Sequence, residues 1–247
     1  KKRAIYFKYA VNVLLLQAMS FLMIASDLHK IEYPMKKILF VIGVLLCCTG
    51  MKAQDMKSLF VALPDSLSPL LTKVNRADFG DFLASNMKAE VKNRLGNTSE
   101  MLKLTDDYLE LRLSEVSTVE MKLLPLNDSV KVICVVHTFK GPASDSRISF
   151  YDTSWKQLSA DKFLTLPVEN AFYKTPASEA QADSLQNLRV RADMFLLKAN
   201  LSETDTTLSF TYTTPDYLDK ETAEEIKPYL VAEPLKYIWR EGRFVCL

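Results

Sequence analysis

The chain is poor in the residues from which most enzyme sites are built: it has two histidines, six glycines and four cysteines in 247 residues. No C-x-x-C or H-x-x-x-H spacing occurs, so the usual zinc sites have no ligand set. No EF-hand spacing is present for calcium, and neither a metal nor a cofactor is expected. Beyond residue 54 the glycines are Gly80, Gly96, Gly141 and Gly242, each isolated. Their scarcity disfavours phosphate-cradling loops and a G-x-S-x-G nucleophile elbow, and with them nucleotide enzymes and ordinary serine hydrolases.

An excess of positive charge is also lacking. Of 31 basic and 30 acidic residues, eight and two fall in residues 1–54, leaving 23 against 28 beyond. A mildly acidic domain without a basic stripe is a poor partner for nucleic acid or an anionic membrane surface.

What the sequence does have is an export pattern. Met35 is followed by Lys36-Lys37, an apolar run over 38–48 and a more polar exit ending at Ala53-Gln54. A basic start, a short apolar core and a small-residue exit mark a secretory signal, and the apolar run is too short to span about 30 Å of hydrocarbon as a helix. Residues 35–54 are therefore read as a signal peptide, and the protein is expected in the periplasm or at the cell surface. Residues 1–34 read as an upstream extension outside the mature protein. A membrane segment over 10–25 is the alternative. Cys47 and Cys48 at the end of the apolar run raise a lipid anchor, although a small residue does not precede either one. The membrane is otherwise not an expected partner. Cys134 and Cys246 lie in the mature part, where export permits a disulfide between them. Buried free thiols are the other reading.

Periodicity predicts an α+β protein with N-terminal helices followed by antiparallel meander sheets, arranged as two related helix-plus-sheet lobes or as one continuous domain. A helix over 56–63 stops at Pro64. A second runs from an Asn75 cap through Phe79, Phe82, Leu83, Met87, Val91 and Leu95 to Gly96. The period then changes to two at Leu109, Leu111 and Leu113 and at Val119, Met121 and Leu123. A strand over 130–139, apolar on both faces, reads as central. Strand 147–151 and the turn Asp152-Thr153-Ser154 complete a meander of four or five strands, ending the first part, 55–165. In the second part, 166–247, helices are predicted over 178–188 and 219–230. Strands are predicted over 194–201, 206–213, 235–240 and 243–246, the last two joined by Glu241-Gly242. Strands 132–138 and 207–213 each lead through an insertion into a strand, a turn and an aromatic residue, an order shared by the two halves that suggests a repeat.

Few constellations carry chemistry. Cys134 and His137 stand three apart on a predicted strand and so face opposite ways, which removes a thiol–imidazole pair. Asp152-Thr153-Ser154 and Asp205-Thr206-Thr207 resemble the aspartic-protease loop but lack its glycine, so turns are the better reading. Asp precedes Ser66, Ser129, Ser184 and Thr206 in a pattern similar to O-glycosylation sites of exported Bacteroidales proteins. Composition alone gives about one such match. Trp155, Tyr237, Trp239 and Phe244 are candidates for an aromatic binding surface, and core packing is the alternative.

The segments Gln54-Asp55-Met56-Lys57-Ser58-Leu59-Phe60, Asp145-Ser146-Arg147-Ile148-Ser149-Phe150-Tyr151-Asp152 and Leu235-Lys236-Tyr237-Ile238-Trp239-Arg240 resemble an uncharacterised family of exported proteins from gut Bacteroidales, over about residues 35–247. The resemblance implies export and supplies no activity. The expected function is a non-catalytic module binding a protein or glycan of the cell envelope. The alternative is a carboxylate-dependent hydrolase using acids such as Asp107, Glu110, Asp145 or Asp152.

Overall fold

A computed structural model describes residues 55–247. The signal pattern, the segment before it and the cysteine pair Cys47 and Cys48 lie outside the described residues. The unit Gln54–Leu247 is compact in itself.

Helix α1 (Met56–Ala62) starts where the Asp55 carboxylate accepts from the Ser58 N–H at 2.8 Å and stops one residue before Pro64. Helix α2 (Lys73–Ala84) opens on a capping box in which Thr72 and Asn75 accept each other's backbone N–H, so Asn75 is the third helical residue and Thr72 the cap. The helix expected to reach Leu95 ends eleven residues earlier. Ser85 caps it, Asn86 takes φ 54, and Met87 and Leu95 are exposed. Asn is one of the few residues that tolerates the left-handed region, so the chain turns there instead of continuing. Val91 is buried as the middle of a strand, and Gly96, at φ 79, closes a hairpin turn around the Asn93 side chain.

Seven strands make one antiparallel sheet: β1 (Glu90–Lys92), β2 (Thr98–Leu104), β3 (Tyr108–Ser114), β4 (Ser117–Pro125), β5 (Lys131–Lys140), β6 (Ser144–Asp152) and β7 (Gln157–Leu158), each paired with its sequence neighbours. The meander is thus longer than the sequence pattern indicated. The additional β2 faces inward with Ser99, Met101 and Leu104, and a bulge between Met101 and Lys103 breaks the period. Alternation gives the sheet two dry faces. Leu109, Leu111, Val119, Met121, Leu123 and Ile133 pack with Phe60 and Phe79 of the helices. Tyr108, Leu124, Val132, Cys134, Val136 and Phe150 face the other way.

That second face is covered by a four-stranded antiparallel sheet ordered β11-β10-β9-β8: β8 (Leu197–Leu201), β9 (Thr207–Tyr212), β10 (Leu235–Arg240) and β11 (Arg243–Cys246). Helix α3 (Glu179–Arg191), capped by Ser178, and helix α4 (Lys220–Ile226), capped by Asp219, pack together through Leu188, Ala192 and Ile226. Beyond α4 a single 3-10 turn, Lys227–Tyr229, takes over at Pro228, where an α-helix loses a donor. The β10–β11 turn has positive φ at both Glu241 and Gly242, the twist a two-residue hairpin demands. The protein is therefore α+β with two antiparallel sheets.

Edge strand β8 is blunted by side chains of the larger sheet. The Leu197 N–H donates to Asp145 Oδ1, Ala199 N–H to Ser146 Oγ, and Leu201 N–H to Glu120 Oε2, at 3.2, 2.9 and 3.2 Å. Glu120 also accepts from the Tyr108 hydroxyl at 3.0 Å, and burial raises its pKa above the usual carboxylate range. Lys122 Nζ, buried beside it, donates to the Glu203 carbonyl and pairs with Asp107. These groups lock the two sheets together at one edge.

Candidate functional site

The helices cover only part of the first face of the larger sheet. The rest is the floor of a groove of about 570 Å³, within the range of small-ligand sites. Val119, His137 and Arg147 stand side by side across β4, β5 and β6, and Met121, Val135 and Ser149 form the next row. Leu111 and Leu113 extend the floor onto β3. The wall is Phe60 and Leu63 with the adjoining loop, Ser66 to Leu70.

The wall is pinned from behind. Arg76 of α2, 2 % exposed, donates to the carbonyls of Leu63 and Leu71 at 2.6 and 2.8 Å and pairs with Asp65 at 3.0 Å. Arg94 holds the other oxygen of Asp65. These ion pairs keep the Asp65 carboxyl below the usual carboxylate range, with the Arg76 hydrogen bond the largest cause. At the far end the Trp155 indole N–H donates to the Leu59 carbonyl at 3.0 Å and ties α1 to the β6–β7 hairpin. Trp155 reaches that position with φ 62 in a turn held by Asp152, whose carboxylate accepts from the N–H groups of Ser154 and Lys156.

Polar groups gather at one corner. Ser117 Oγ and His137 Nε2 are 2.7 Å apart, and the His137 ring lies 4.1 Å from that of Phe139. Burial, and then the neighbouring Arg147 charge, hold the His137 pKa below its ordinary value, so the imidazole is neutral at pH 7. The arginines paired with carboxylates among the described residues are Arg76, Arg94, Arg112, Arg189 and Arg191; Arg147 has no such partner. No acidic residue lines the groove. A serine nucleophile needs a base that a third group orients and donors around the developing oxyanion. Ser117 instead sits within a strand ladder, and no carboxylate among the described residues bonds His137. The pair is a hydrogen-bonded polar patch in an apolar groove.

Reading β5 alone pointed to Cys134 beside His137 and missed Ser117. The two side chains do face opposite ways, and the partner of His137 comes from the neighbouring strand, where Val119 lies opposite it. Only the β4–β5 register reveals that contact.

The aromatic quartet is not brought together as one surface. Trp155, 7 % exposed, contributes to the lining of the groove as one edge of its wall. Tyr237, Trp239 and Phe244 are buried between the sheets, where the Trp239 N–H donates to the Pro125 carbonyl. Their alternation on short strands faces them inward as core. The disulfide is likewise not formed: Cys134 is wholly buried at the centre of β5 and Cys246 is exposed on edge strand β11. Burial pushes the Cys134 thiol pKa up, which leaves it an inert apolar group. Ser66 is exposed on the groove wall, Ser129 in the β4–β5 turn and Ser184 on α3, while Thr206 is half-buried before β9.

The four acids of the hydrolase reading do not converge. Asp107 pairs with Lys122, Asp145 accepts from β8, and Asp152 organises its own turn. Glu110 stands opposite Glu120 in the ladder, but both Glu120 oxygens are already engaged by Tyr108 and Leu201. Among the described residues no group of three His, Cys, Asp or Glu can hold a metal ion, and no helix is long and apolar enough to cross a membrane.

Fold and site together define an α+β protein of two stacked antiparallel sheets with an apolar groove on the outer face of the larger one. The chain belongs to the family described as "Protein of unknown function (DUF3256)", whose model matches residues 48–244. It is similar to a solved domain of an uncharacterized protein from Porphyromonas gingivalis W83, at 33% identity and a TM-score of 0.70, covering 79% of this chain and 100% of that one. The comparison with curated proteins finds no match.

Proposed function

We propose that this protein is a non-catalytic, exported module of the cell envelope that binds a partner through the groove on the outer face of its larger sheet. Export is supported by the signal pattern of residues 35–54. Binding is supported above all by one observation: a mostly apolar groove, with Leu67, Val116 and Phe139 exposed along it, bordered by a wall that Arg76 and Trp155 hold in place. A preformed concave site of this kind loses little ordering entropy on binding.

A protein or glycan partner is the reading the sequence favours, and the apolar lining of the groove supports one that presents an apolar moiety. A photo-crosslinking amino acid in place of Phe139, which is 50% exposed at the groove, tests the reading in living cells. It is expected to trap a discrete adduct that the same probe in place of Val190, exposed on α3, does not trap. Equal adducts from both positions, or none from Phe139, contradict the reading.

A further inference from the structure

The distribution of polar groups within the groove says what kind of apolar moiety fits. A peptide or a glycan is polar along its whole length, and its N–H, C=O or hydroxyl groups need partners throughout or they cost free energy. The floor is a sheet face, so the backbone groups of its strands are spent within the ladder. From Leu111 through Val119 and Met121 to Val135 it offers no donor or acceptor. Ser66 and Ser68 stand on the wall loop, Tyr151 on β6 and Gln157 on β7. Partners are concentrated at the β4–β6 corner: Ser117, His137, Ser149 and the unpaired Arg147.

A ligand matched to that pattern is apolar over most of its length and polar at one end. The only formal charge lining the groove is positive, so the polar end is an anion. From β3 to β6 the floor spans three inter-strand steps, about 14 Å, enough for an extended alkyl chain lying across the strands. We infer that the groove binds a fatty acid, its alkyl chain against the accessible apolar lining of Leu67, Leu113, Val116, Val135 and Phe139 and its carboxylate on Arg147 with the Ser117–His137 pair beside it. A guanidinium meets a carboxylate in a forked, charge-assisted geometry that a hydroxyl head cannot reproduce.

This inference rests on the groove being the binding site and replaces the protein or glycan favoured by the sequence with a fatty acid as its occupant, and its test separates the site from the occupant. Fluorescence of cis-parinaric acid reports binding to the protein, and dodecanoate and dodecanol compete with it. Saturable enhancement is expected, with dodecanoate displacing the probe about ten-fold more effectively than dodecanol, the factor that one charge-assisted hydrogen bond supplies. Arg147 is exposed, so Arg147→Gln leaves the fold intact, which thermal unfolding verifies. The substitution is expected to weaken parinarate and dodecanoate together and to abolish the preference for dodecanoate over dodecanol. Absence of saturable parinarate binding, equal competition by acid and alcohol, or a preference that survives Arg147→Gln each overturns the fatty-acid assignment. If crosslinks still form from the Phe139 position, the groove reading stands without it; if they do not, both fail.

Discussion

Replacing Arg76 with Met tests how the groove wall is built. The guanidinium is 2 % exposed and its donors satisfy the carbonyls of Leu63 and Leu71, on either side of the wall loop. Methionine fills much of the volume but donates nothing, leaving two carbonyls without a partner and releasing Asp65. Each orphaned buried acceptor costs about 1–3 kcal/mol, and the substitution should therefore cost about 3–5 kcal/mol in total. For a domain of this size each kcal/mol lowers Tm by about 2–4 °C, which places the fall at about 6–20 °C. Urea unfolding followed by tryptophan fluorescence measures the loss, because Trp155 reports on this end of the molecule. The Asp65 side chain is 54% exposed, so Asp65→Asn should leave stability nearly unchanged. A loss below about 1 kcal/mol for Arg76→Met, or an equally large one for Asp65→Asn, refutes the reasoning.

Three further outcomes are expected. Burial raises the folded-state pKa of Glu120 above 4.5, so its contribution to stability is full below that value and is lost as pH rises through the raised one. Glu120→Gln, whose amide can accept from Leu201 and donate to Tyr108, should gain on the wild type over that rise; a parallel pH profile for the two proteins contradicts the assignment. Gly242→Ala should destabilise by about 1–2 kcal/mol in thermal unfolding, because φ 78 disfavours a side chain and the new Cβ would meet Leu126 at 2.8 Å. In native protein, iodoacetamide should label Cys246 and spare Cys134 by peptide mass spectrometry; protection of both would indicate the disulfide that the structure does not contain.

Much of the architecture is legible in the sequence because alternation is a local signal. Strands β10 and β11, the β5 core and the Glu241-Gly242 turn can be read directly from residues a few positions apart. The end of α2 cannot, since Met87, Val91 and Leu95 continue a helical period that the chain does not use. The stop lies in the conformation of Asn86 and in strand pairing of Val91 with Ser99. The groove is less legible still. Ser117, His137 and Arg147 lie on three strands and meet only through register, and no spacing rule joins positions 117, 137 and 147. Aromatic residues were the natural candidates for a binding surface, but large apolar rings are also what two stacked sheets require between them, and three of the four went there. The apolar residues that line the groove are ordinary aliphatics, several of them shared with the helix–sheet core, and nothing in their spacing sets them apart.

The central claim is that this floor, and no other surface, takes the ligand. Methyl-selective NMR of the protein with dodecanoate added tests it directly, because the two faces of the same strands carry separate reporters. Shifts are expected at Leu67, Leu113, Val116 and Val135, with Val132, Val136 and Leu208 on the inter-sheet face unmoved. Saturable shifts at the second set, or on α3 and α4, with the groove methyls silent, would contradict the account.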